Sequence, residues 1–157
     1  MFGGFTIIWL IGDTHLGHKR ICEYTGRPFS SVEEMDTAII HNWNKYIRKD
    51  DWVICLGDFA FGNPRPYLRQ LNGRLILIKG NHDKYLDGYH WLVLGDFLLI
   101  HRPIRPFWWD GWIISSHTHN KGKFIDEDNK IISICVEKTG YKPVPFSFLK
   151  TLFQLQL

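Results

Sequence analysis

Four short segments of this chain carry side chains that hold metal ions well. They are Asp13-Thr14-His15, Gly57-Asp58, Gly80-Asn81-His82-Asp83 and His117-Thr118-His119. In an extended segment, residues two apart point the same way, so Asp13 and His15 are expected to face one ion together. His117 and His119 repeat the device. Carboxylate, amide oxygen and imidazole without thiolate suit manganese, iron, zinc or nickel rather than an iron–sulfur cluster or a structural zinc. The cysteines agree: Cys22, Cys55 and Cys135 are odd in number and form no C-x-x-C pair, so neither a disulfide framework nor a thiolate zinc site is indicated. Singly, a D-x-H is commonly a turn aspartate beside a surface histidine, and a G-D is ordinary turn chemistry. What points to a site is that all four occur in this order, the first three each just after a strand-like run.

Those runs are the elements that must position the site. Thr6–Ile11 (TIIWLI), Trp52–Leu56 (WVICL) and Leu75–Ile78 (LILI) are short, apolar and largely β-branched or aromatic, and a glycine follows each within two residues. They predict strands buried on both faces. Between the first two, Ser30 or Ser31 with Glu33 or Glu34 forms a helix start with a capping box. Met35, Ile39, Trp43, Tyr46 and Ile47 then keep helical spacing to about Lys49. Pro64–Leu71 predicts a short helix closed by Asn72-Gly73. Strands alternating with helices predict a mainly parallel α/β sheet, and such sheets bind ligands beyond the carboxyl ends of their strands. The second half changes character. Phe97–Ile100, Trp112–Ser115 and Ile131–Val136 read as strands with turns and little helix between them, which predicts a second sheet packed on the first. No repeat, linker or low-complexity tract divides the 157 residues, so one domain is expected.

Together with a histidine at His101, after the strand-like FLLI, the four motifs resemble those of the calcineurin-like metallophosphoesterases. The match spans about residues 7 to 120. The extended start DTHLGH, the Met35 helix and the late Gly140-Tyr141-Lys142-Pro143 look like a small, uncapped bacterial or phage branch. The resemblance implies an α/β sandwich of two mixed sheets flanked by helices, with two divalent metal ions, manganese foremost. One ion would take Asp13, His15 and His119. The other would take Asn81, His101 and His117, with Asp58 bridging both. His82 would bind no metal but face the scissile phosphate, to hydrogen-bond it or to protonate the leaving group. In one place the chain departs from the family. Ser116 stands where a glycine is usual, and a small serine predicts a shifted but intact loop.

The implied activity is hydrolysis of a small, nucleotide-derived phosphodiester. A phosphomonoesterase and a non-catalytic, metal-binding interaction scaffold are the alternatives, and retention of His82 with every ligand position argues against the scaffold. The net charge of +3 is scattered rather than gathered in a stripe, so a small phosphorylated partner is expected and nucleic acid is not indicated. No apolar run is long enough to span a bilayer, and a reducing cytoplasm is the expected compartment. Aromatic residues make up 15% of the chain, and among them Phe107-Trp108-Trp109 and Trp112 either seal the second sheet or stack a nucleobase. His18 and Arg102 either reach substrate or stay solvated. His41 and His90 lack partner spacing and are expected to be structural.

Overall fold

The computed structural model describes residues 5–154. Three strands, β1 (Ile8–Ile11), β2 (Trp52–Cys55) and β3 (Arg74–Leu77), run parallel in the order β3-β2-β1. A short strand near the carboxyl end, β9 (Val144–Pro145), pairs antiparallel with β1. Alternate residues of this sheet enter two different apolar layers, which is why each strand reads as an unbroken apolar run. Trp9, Ile11, Val53, Cys55 and Leu77 pack with Met35, Ile39, Trp43 and Ile47 from the helix α2 (Val32–Tyr46) and its end. Leu10, Ile54, Leu56 and Ile78 pack with residues of the second sheet.

That second sheet has the order β4-β5-β6-β8-β7, built from β4 (Trp91–Leu94), β5 (Phe97–Ile100), β6 (Trp112–Ser115), β7 (Ile125–Asp126) and β8 (Ile131–Ser133). β5, β6 and β8 are parallel, and the two edge strands are antiparallel. The molecule is therefore two mixed sheets flanked by helices, the expected sandwich. Its shared layer is filled by Phe97, Leu99, Ile114, Ile132 and Ile134 against the inner face of the first sheet.

Helix α2 begins as a displaced capping box. The Ser31 hydroxyl accepts the Glu34 N–H at 3.1 Å, while the Glu34 carboxylate reaches back to the N–H of Ser30 rather than Ser31, at 2.7 Å. The helix stops at Tyr46, because Ile47 is already extended. The helix expected over Pro64–Leu71 is reduced to α3 (Arg65–Leu68). Two single-turn helices, α1 (Ile21–Thr25) and α4 (Val136–Thr139), are too short to print a periodicity. The terminal α5 (Phe146–Gln154) seats Phe146, Leu149, Leu152 and Phe153 against the shared layer.

The strand expected over Ile131–Val136 is corrected in a way that matters for the site. Pairing within β8 ends at Ser133, after which the backbone crosses between sheets. The Ile134 N–H donates to the Ser115 carbonyl of β6 at 2.9 Å, and the Val136 N–H donates to the Gly12 carbonyl after β1 at 3.1 Å. These residues thus tie the carboxyl ends of β1 and β6 together. Among the described residues no helix is long and apolar enough to cross a membrane.

Trp43 tests how α2 is held. It is buried, and its indole N–H donates to the Asn72 carbonyl at 2.8 Å. Trp43→Ala should lower the unfolding free energy by about 3–5 kcal/mol in urea denaturation. A loss under about 1 kcal/mol would mean that α2 does not clamp the sheet as described.

Candidate metal centre

The loops leaving β1 and β2 are zipped together by backbone bonds. Asp13 N–H donates to Gly57, His15 to Asp58 and Leu16 to Phe59, at 2.9–3.0 Å. Within these loops the chain takes left-handed turns. Asp13, His15 and Asp58 have φ of 55°, 51° and 50°, and across the cleft His117 and His119 have 72° and 50°. Among the described non-glycine residues only Lys130 and Tyr141 share that conformation. Such residues cost on the order of 1–3 kcal/mol each and gather where a site over-determines them. The expected extended geometry is therefore corrected: each D-x-H or H-x-H pair converges through two left-handed residues, not along a strand.

The side chains converge in two groups joined at one carboxylate. Ligand atoms of Asp13, His15 and His119 lie within 4.8 Å of one another, and so do those of Asp58, His101 and His117. Asp58 Oδ2 is 3.5 Å from His15 Nε2 and 3.4 Å from His101 Nε2, so it faces both groups. Asp13 Oδ1 and His15 Nε2 are buried and have no hydrogen-bond partner. A buried carboxylate oxygen left without a donor is costly, and a divalent cation is what this donor set fits. Burial alone would raise the Asp13 carboxyl, but the His15 imidazole 3.7 Å away and the nearby His119 and His101 hold it well below the usual range. Burial would lower His119, but its hydrogen bond to Glu137 and the nearby carboxylates raise it. Burial, with His101 and Arg102 nearby, lowers His117.

The remaining expected residues fall at the same cleft, about 520 Å³ in volume, whose lining includes His15, Asp58, His117 and His119. Asn81 lines it but is exposed, and its amide oxygen accepts from Arg102 Nε at 3.2 Å. His82 is half-buried, with its N–H on Asp58 Oδ1 at 2.9 Å and its ring 5.4 Å from that of His15. A ring nitrogen of His82 also lies within 4.8 Å of ligand atoms of His15 and Asp58. His18 lines the cleft too, its ring 5.5 Å from His15 and 4.6 Å from Phe61, and burial lowers its pKa. His41 and His90 are exposed and lie outside. The tryptophans also lie outside: Trp108 packs on Trp91, Trp109 donates to the Trp112 carbonyl, and Trp112 packs on Phe153, so they cover the second sheet.

Three supporting groups were not assigned roles from the sequence. Asp83 staples two loops: Oδ2 accepts from Asp58 and Gly80, and Oδ1 from Phe59, at 2.7–2.9 Å. Arg27 and Glu137 sit behind His119. Only the G-N-H-D motif carried a signal for any of them, through Asp83.

Ser116 is accommodated by its surroundings. Its hydroxyl donates to the Leu56 carbonyl at 2.5 Å and lies 3.0 Å from His101 Nδ1, which itself contacts that carbonyl at 2.8 Å. A proton on Nδ1 leaves His101 Nε2 unprotonated, 3.4 Å from Asp58 Oδ2 and 3.1 Å from His117 Nδ1, the form in which a histidine can ligate a metal. The loop is intact, because His117 N–H donates to Asp13 Oδ2 at 2.5 Å. Space for the serine comes from Gly12, where an added Cβ would sit 2.5 Å from Ser116 Cβ.

The family model of calcineurin-like phosphoesterases matches residues 6–143, and the chain belongs to that family. It is 38% identical to the uncharacterized protein MJ1445 of Methanocaldococcus jannaschii, over 94% of this chain and 91% of that protein. The solved structure of the protein of unknown function AQ665 from Aquifex aeolicus is similar at a TM-score of 0.76 and 28% identity, covering 94% of this chain and 100% of that one. The nuclease MPE of Pseudomonas putida shares the fold at a TM-score of 0.51 and 21% identity, covering 71% of this chain and 61% of that one. The family implies divalent metal ions, and the donor groups here fit them.

The Gly12–Ser116 contact gives a reciprocal test. Gly12→Ala alone should destabilise the protein by about 1–3 kcal/mol through overpacking. Adding Ser116→Gly should restore stability to near the parent in thermal or urea unfolding. Ser116→Gly by itself should leave the metal content unchanged. If the double variant is no better than Gly12→Ala, the contact is misassigned.

Proposed function

We propose that the protein is a phosphodiesterase that works with two divalent cations, manganese foremost, on a small nucleotide-derived phosphodiester. The observation that carries this is the pair of ligand groups joined at Asp58, with His82 on the same cleft. Two cations held so closely supply charge neutralisation for a phosphate and an acidified water as nucleophile. Asp13, His15 and His119 would hold one and Asp58, His101 and His117 the other, with the Asp58 carboxylate facing both sets. Asn81 joins the second set through the same amide oxygen, whose second lone pair is not taken by the Arg102 Nε–H, and the Arg102 guanidinium held beside it meets the phosphate anion. His82 is fixed through its backbone on Asp58, so its ring stays at the cleft. There it hydrogen-bonds the phosphate and delivers a proton from a ring nitrogen to the leaving oxygen. Three free thiols, two of them buried, support a reducing cytoplasm as its place of work.

Hydrolysis of bis(p-nitrophenyl) phosphate and of p-nitrophenyl phosphate with added Mn²⁺ tests the reading. The diester should be the faster substrate. A faster monoester would make the protein a monoesterase, and no turnover of either would leave a scaffold. Elemental analysis of the reconstituted protein should approach two ions per chain.

His82→Ala should keep both ions and lower kcat by roughly 10²–10⁴ on diesters with poor leaving groups, and by less with p-nitrophenolate. Loss of an ion in this variant would make His82 a ligand instead.

A further inference from the structure

We infer that the buried Arg27–Glu137 ion pair is a positioning device for the metal bound by Asp13, His15 and His119. The inference rests on the metal reading above and concerns residues outside the ligand set. The Arg27 side chain is 0% exposed and that of Glu137 5%, with Nη2 and Nε on Glu137 Oε1 at 2.8 and 3.0 Å. A buried ion pair gains little stability over apolar residues of similar volume, because both charges lose their water. Glu137 Oε2 is also buried without a partner, which adds to that cost. Stability alone gives no reason for such a pair at this place.

Its contacts do give one. Arg27 donates from Nη2 to the Asp13 carbonyl at 2.7 Å and from Nη1 to the Thr14 carbonyl at 2.9 Å. Those two carbonyls belong to the left-handed turn that aims Asp13 and His15. Glu137 Oε1 meets His119 Nδ1 at 2.9 Å, so Nδ1 carries the proton and Nε2 is left bare for the cation. One ion pair thus orients all three ligands of one ion, two through the backbone and one through its tautomer. Lys138 strengthens the same grip, with Nζ on Thr118 Oγ1 at 3.1 Å and on Ser133 Oγ at 2.8 Å. Neighbouring residues of α4 therefore hold neighbouring residues of the His117–His119 loop.

The Gly140-Tyr141 turn covers the device. Gly140 and Tyr141 both take positive φ, which brings the Tyr141 ring over the Arg27 guanidinium at 6.0 Å, and Phe29 packs on that ring at 4.8 Å. Water is kept from the pair, and its hydrogen bonds act at low dielectric.

Two variants test the inference: Glu137→Gln, which keeps shape and an acceptor but removes the charge, and the double variant Arg27→Met/Glu137→Leu, which replaces the pair by apolar volume. The readouts are equilibrium dialysis against graded Mn²⁺ with elemental analysis, and thermal unfolding of the metal-free proteins. Both variants should bind one ion per chain roughly 10–100-fold more weakly and the other as the parent does. The metal-free double variant loses the donors to the Asp13 and Thr14 carbonyls and should melt modestly lower than the metal-free parent, so the asymmetry between the two ions is what separates positioning from bracing. Two ions bound with parental affinity in Glu137→Gln would overturn the inference. So would a fall in metal-free melting temperature with both ions weakened alike, since the pair would then be a plain structural brace. A parent that binds no ion would overturn the metal reading itself, and this inference with it.

Discussion

The site depends on the point where the backbone crosses from one sheet to the other. The Ile134 N–H bonds β6 at Ser115, and two residues on the Val136 N–H bonds the end of β1 at Gly12. Without that crossing, the carboxyl ends of β1 and β6 would belong to separate sheets joined only by apolar packing and by side-chain bonds such as that of Ser116 to the Leu56 carbonyl. Apolar packing fixes a spacing between sheets but tolerates sliding, whereas backbone hydrogen bonds fix register. The His117 N–H on Asp13 Oδ2 is the direct result: residues over a hundred positions apart meet at hydrogen-bond distance.

That register lets five residues of the candidate metal centre hold unfavourable backbone angles. Left-handed aspartates and histidines persist only where the surroundings over-determine them, and here the restraints can be named. The loops after β1 and β2 are zipped to each other, Asp83 staples the loop after β2 to that after β3, and α4 grips the loop after β6. The unpartnered buried atoms of Asp13 and His15 are the other side of the same arrangement. A protein that aims bare oxygen and nitrogen atoms at one cleft is less stable without a cation than with one, because binding to the folded state alone stabilises it.

The serine at 116 shows how a local exception is absorbed. Its Cβ takes the space that any side chain at position 12 would need, and its hydroxyl shares the Leu56 carbonyl with His101. The change therefore reaches two strand ends rather than one loop. Such an adjustment conserves volume, which close-packed interiors tolerate better than a net gain of atoms.

The residues of the site and the sheet that carries them were legible because each depends on local pattern. Apolar runs such as WVICL and LILI must be buried on both faces, and a polar residue just after each run must lie at a strand end. Histidines two apart among small residues have few other uses. Only the tertiary structure decided how the pairs converge, since a left-handed turn and an extended segment read alike in sequence when glycine is absent. It also decided what surrounds them. Arg27 and Glu137 lie 110 positions apart and carry no motif. Their pairing exists only because α4 returns the chain to the end of β1, and α4 is a single turn that no periodicity announces. The tryptophans make the same point in reverse. Phe107 to Trp112 invite a stacking role in sequence, but the packing of Trp108 on Trp91 and of Trp112 on Phe153 assigns these tryptophans to the second sheet, while Phe107 stands fully exposed. Burial is a property of neighbours, and neighbours far apart in the chain are chosen by the fold.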